Sequence, residues 1–146
     1  MNSLKSALVS VSFLLASLTA SAAITEGRTA NDRSYMSGGV GLEESERLKQ
    51  MADKYSLQLL ISSRSGAYLA DTHVTITGAN GQKVLDLPLD APWLLVDLMP
   101  GNYKVVVAHA GRTQERNVTV APSKREQVVV QFDVPADTAK NPSPSK

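Results

Sequence analysis

His73 and His109 are the only imidazoles in a chain of 146 residues that has no cysteine. A zinc site of ordinary spacing needs further ligands close by, as in H-x-x-E or H-E-x-x-H, and neither histidine stands in such a pattern. The two could still converge in space, or each could face solvent or a hydrogen-bond partner from a strand. Asp71, Asp86, Asp90 and Asp97 offer carboxylates for paired acid and base work, but each falls at a strand end or in a loop, where aspartate caps turns. There is no G-x-S-x-G elbow and no convincing Ser/His/Asp set. The glycine-rich stretch Gly38-Gly39-Val40-Gly41 precedes a helix without following a strand, unlike a phosphate-binding loop. These residues predict a protein that is not an enzyme and that carries no metal or cofactor.

Binding is what remains. Beyond the first 23 residues the aromatics are Tyr35, Tyr55, Tyr68, Trp93, Tyr103 and Phe132. A sugar-binding face presents one or two rings flat to solvent beside Asp, Asn or Gln. Tyr68, in an irregular loop close to Asp71, is the best placed, so Tyr68 and Asp71 are the candidate ligand-binding pair. Trp93 opens a strand directly after Pro92 and reads as a core plug, because large aromatics supply much of a small domain's buried area. The Asn117-Val118-Thr119 triplet matches a glycosylation sequon but lies mid-strand, behind an N-terminus of bacterial type.

Those residues must be carried by a chain long enough for one domain and too short for two good cores. Residues 1–23 combine an early cation, Lys5, an apolar run from Ala7 to Leu18, and small residues at Ala20, Ser21, Ala22 and Ala23. This is the pattern of a secretory signal peptide, with cleavage after Ala22 or Ala23. The apolar run is too short for a membrane span, which needs ~20 residues. No cysteine at the cleavage site would take a lipid, so the expected product is periplasmic or secreted, without a membrane anchor. Without Lys5, the 15 basic side chains become 14, against 14 acidic ones. That balance argues against nucleic acid as a partner, since phosphates need a basic face.

Residues 24–40 are polar and glycine-bearing with no apolar period, and read as a flexible leader. In Gly41–Tyr55 the apolar residues Leu48, Met51, Ala52 and Tyr55 fall at i, i+3, i+4 and i+7, one stripe of a helix. Glu43, Glu44 and Glu46 near its start and Lys49 and Lys54 near its end suit the helix dipole. From Ser56 the period becomes two. Leu57, Leu59 and Ile61 alternate with Ser56, Gln58, Leu60 and Ser62; Val74 and Ile76 alternate with His73, Thr75 and Thr77 before an Asn80-Gly81 turn into Gln82–Leu87.

Pro88 and Pro92 bracket a crossing loop, since missing amide donors exclude a central strand. Trp93–Leu98 is apolar on both faces, as in a strand covered on both sides, by a second sheet and by the helix. Pro100-Gly101 turns it into Asn102–Ala110. Thr113–Val120 and a last strand ending in Val128, Val130 and Phe132 follow. Residues 135–146, rich in Pro, Ser, Ala, Lys and Asn, have nothing to bury and are expected to be a disordered tail. The pattern predicts a mainly β, seven-stranded antiparallel Greek-key-type sandwich with one N-terminal amphipathic helix, its domain covering residues 41–134.

Three runs carry a family resemblance: Ala70–Ile76, Gly81–Val84 and Leu98–Val105. In the last, Leu98, Pro100, Gly101, Tyr103 and Val105 fit an L-x-P-G-x-Y-x-V order, and the chain resembles the carboxypeptidase regulatory-like domain from about Leu57 to Phe132. The resemblance implies a transthyretin-like, carbohydrate-binding-like β-sandwich of a small exported bacterial subgroup. In physical terms, Pro100 sets the first corner of a turn, Gly101 takes the positive φ of the second, and Tyr103 and Val105 start a buried face. The functional expectation is a non-catalytic exported binding module of unknown ligand, which binds another protein or an envelope component through one sheet face or its loops. The alternative is a carbohydrate-binding module recognising an envelope or extracellular glycan.

Overall fold

The structure is a computed structural model that describes residues 24–134; the expected signal peptide and tail lie outside them. In chain order the elements are β1 (Thr25–Arg28), β2 (Ser34–Gly38), α1 (Leu42–Met51) with a 3-10 turn at Ala52–Lys54, β3 (Leu57–Ser63), β4 (Thr72–Gly78), β5 (Lys83–Leu89), β6 (Trp93–Val96), β7 (Gly101–His109), β8 (Arg112–Val120) and β9 (Glu126–Phe132). One sheet has the order β1-β2-β6-β3-β9 and the other β5-β4-β7-β8.

All four residues of β6 are buried, because this strand is central in its sheet and covered on both faces. Leu94 and Val96 enter the core between the sheets, with Leu57, Leu59, Ile61, Val74, Ile76, Val105, Val107 and Phe132. Trp93 and Leu95 point the other way and pack with Leu48, Ala52, Tyr55 and Met36. The helical stripe therefore serves the core, as its spacing predicts: Leu48 and Ala52 are buried and Met51 is partly so. Ser56 ties β3 to the end of β6, its Oγ accepting from Leu98 N at 2.7 Å while lying 3.1 Å from Leu98 O.

The strand count differs from the sequence expectation. There are nine strands among the described residues, because residues 24–40 are not a flexible leader: they form the β1–β2 hairpin, and β2 pairs with β6 from Tyr35↔Val96 to Gly38↔Trp93. A polar segment without apolar period becomes a strand when a neighbouring edge supplies its hydrogen bonds, which periodicity cannot show. Nor is the sandwich wholly antiparallel, since β3 and β9 run parallel from Leu57↔Glu126 to Ser63↔Phe132.

Pro88 lies within β5 rather than beyond it. β5 is an edge strand, where a missing N–H costs no ladder bond. The chain still changes sheets between β5 and β6, as the two prolines predict. Gly101 already belongs to β7, with φ 156°, rather than the ~80° of a type II corner.

Candidate functional site

Where the N-terminus of α1 meets the loop between β3 and β4, the surface folds into a cleft of about 620 Å³. One wall comes from Gly39 to Leu42 with Ser45 and Lys49. The other is Tyr68 to Asp71, and the β5–β6 connection adds Asp90 and Pro92. Both sequence candidates, Tyr68 and Asp71, thus line the same cleft.

The helix wall is held by polar contacts. Ser45 is buried and its Oγ lies 3.1 Å from Gly39 O and 2.8 Å from Gly41 O. Glu44 Oε2 accepts the Gly39 amide at 3.2 Å. These bonds tie the incoming Gly39–Gly41 segment to the first turns of α1, a helix whose N-cap, Gly41, has no side chain to cap it.

The opposite wall is pinned by a bridge between Ser62 and Tyr68, with the Ala67 amide donating to Ser63 Oγ at 3.1 Å. Asp71 has φ 55°, a conformation that aspartate tolerates better than most residues. Its carbonyl lies 3.4 Å from His109 Nδ1.

Trp93 connects the walls from below. Its ring meets Tyr68 edge-on, with centroids 6.2 Å apart and planes at 71°. On the helix side it packs so close to Gly39 that a Cβ there would stand 2.2 Å from Trp93 Cδ1. Trp93 is buried, as expected of a core plug, so Tyr68 has no coplanar exposed partner. The solvent side of the cleft instead exposes two aliphatic side chains beside that one ring: Leu42 is 80% exposed, Tyr68 44% and Val40 36%. Lys49, Asp71 and Asp90 add charge of both signs.

The two histidines do not converge. His73 is exposed and its Nε2–H donates to Asp86, whose other oxygen takes Lys83 Nζ at 2.8 Å. The lysine bond first and the histidine bond second hold the Asp86 carboxyl below its ordinary range. His109 is buried against Phe132, with centroids 5.6 Å apart. No group of three or more potential metal ligands occurs among the described residues. Asp97 is engaged elsewhere, with Arg33 at 3.2 Å.

Val40 and Leu42 lie in a segment whose sequence predicts only leader and helix entry. The available signal was two aliphatic residues alternating with Gly39 and Gly41, with no place in the helical stripe.

Residues 55–132 match the Rhizobiales growth-associated tandem repeat domain. The chain belongs to that family. The matched family is not the carboxypeptidase regulatory-like domain that the Leu98–Val105 motif resembles; the β-sandwich is the part of that expectation that the structure bears out. No curated protein matches the chain. The tandem repeat unit begins just after the 3-10 turn and ends with β9, so it holds β3 to β9, the seven strands legible in the sequence. The cleft therefore joins one wall from the repeat unit to one wall from the segment before it.

Proposed function

We propose that the chain is a non-catalytic, exported binding module that holds a protein of the cell envelope in the cleft between α1 and Tyr68–Asp71. The observation that carries this reading is the grouping of Leu42, Val40 and Tyr68, three large side chains left in water around one concavity. Exposed apolar groups that cluster in this way mark interaction sites more often than scattered ones do. Export rests on the pattern of residues 1–23. The resemblance of Leu98–Val105 to carboxypeptidase regulatory-like modules, which are attached to many unrelated proteins, supports a binding role over a catalytic one.

A photo-crosslinking residue at Leu42 in living cells tests this. The expected result is an adduct of discrete mass that disappears when Tyr68→Ala is added and that is absent with the crosslinker at Lys83, on the far sheet. No adduct at Leu42, or the same adducts from both positions, would overturn it. The glycan reading keeps one supporting observation, the exposed Tyr68 ring beside Asp71 and Asp90. Thermal stabilisation by one soluble polysaccharide or peptidoglycan fragment, lost in Tyr68→Ala and kept in Leu42→Lys, would put it first.

A further inference from the structure

The repeat unit begins at Tyr55, so β1, β2 and α1 stand outside it. Yet they complete it. β2 supplies one of the two neighbours of β6, and Met36, Leu48 and Ala52 cover the outward side chains Trp93 and Leu95. Stripped of residues 24–54, β6 would present a row of unpaired N–H and C=O groups beside an apolar face of Trp93, Leu95, Leu60 and Tyr55. An edge of that kind is a template for another strand. In this chain the covering strand comes from outside the boundaries of the matched repeat unit.

We propose that β6 is a strand-acceptor site and that residues 24–54 are a donor segment transferable between copies of this chain, the donor of one copy completing β6 of a second. This does not depend on what the cleft binds. The donor's distant contacts all fall on the repeat unit and would be the same from another copy: Asp97 N to Ser34 O at 3.0 Å, Ala30 N to Val84 O at 2.9 Å, Arg33 to Asp97 at 3.2 Å, and the pair Asp53–Arg125.

The fit is selective. Gly39 has no room for a side chain over Trp93: a Cβ there would stand 2.2 Å from Trp93 Cδ1. The acceptor thus fits an extended Tyr-Met-Ser-Gly strand followed by a second glycine at positive φ that leads into a short amphipathic helix. Only the turn at Ala52–Lys54 and the two residues after it join donor to β3.

Trp93 is the chain's single tryptophan, so its fluorescence reports acceptor filling directly. In the full chain, Met36→Asp places a charge beside Trp93 and Leu95 and should shift the emission to the red. A synthetic peptide of residues 24–54 should then restore the blue emission and raise Tm saturably, while the same peptide carrying Met36→Asp should do neither. Failure of the wild-type peptide on a variant that keeps its β-sheet circular dichroism would overturn the proposal. Should Met36→Asp not fold, a protease site inserted between Asp53 and Lys54 and cut in the folded chain decides the matter. Exchange of the bound fragment for labelled peptide, followed by native mass spectrometry, supports donor transfer; retention without exchange, or unfolding on cutting, refutes it. Leu42→Lys, which abolishes the proposed cleft partner, should leave the exchange intact.

Discussion

Replacing Gly39 with alanine adds one methyl group at the joint between cleft and core, and two separate costs follow. The first is backbone strain, because Gly39 has φ 97°; a non-glycine residue held in such a region costs ~1–3 kcal/mol. The second is steric. The new Cβ would stand 2.2 Å from Trp93 Cδ1, so the indole must retreat by more than an ångström, and it is buried with Tyr68 against it. Overpacking of a filled site costs ~1–3 kcal/mol. The total is ~2–6 kcal/mol, and at roughly 4 °C per kcal/mol for a domain of this size the loss in Tm is on the order of 15 °C.

Gly41→Ala separates the two costs. Gly41 has φ 111° and ψ 160°, and nothing lies within 4 Å of an added Cβ, so it carries the strain alone, ~1–3 kcal/mol. Denaturant unfolding of both variants, followed by Trp93 fluorescence and circular dichroism, gives the comparison. Equal losses for the two variants would refute the contact between Gly39 and Trp93 as a determinant of stability.

Leu94→Ala, in the core between the sheets, should cost ~2–5 kcal/mol, whereas Leu42→Ala should stay within about 0.5 kcal/mol, because Leu42 already faces water; denaturation midpoints check both, and a large loss for Leu42→Ala would make it structural. Ser56→Ala should cost ~1–3 kcal/mol by leaving the Leu98 amide without its acceptor, to be measured in the same way. The Asp86 carboxyl is held below its ordinary value of 3.8 by Lys83 and then His73, so its contribution is present above that pH and is lost as pH falls through the lowered value. Asp86→Asn should therefore flatten the acid limb of the Tm–pH profile slightly, and an unchanged limb would show that the carboxylate does not matter there.

How far the fold could be read in the sequence depended on whether each segment's partners were local. The seven strands from Leu57 to Phe132 were legible because a strand half-buried in a sandwich must alternate, and Leu57, Leu59 and Ile61 or Val105 and Val107 do. The helix was legible for the same reason at its own period, with Leu48 and Ala52 one turn apart. β1 and β2 were not. Their side chains carry no period, and Ser34–Gly38 is a strand because β6 offers it hydrogen bonds from a point distant in sequence. Pro88 misled in the opposite direction: proline excludes a central strand, but only the sheet order shows that β5 lies at an edge.

The candidate site divides in the same way. The chain itself determined that Tyr68 and Asp71 share a short loop and that Trp93 belongs to a strand apolar on both faces. Tertiary structure alone decided that Val40 and Leu42 stand across a cleft from Tyr68, that His73 and His109 lie apart, and that a segment outside the repeat unit closes β6. Periodicity records which face of a segment is buried, since each residue bears that cost for itself. It carries no record of which distant segment does the burying, because strand pairing is made by backbone groups common to every residue.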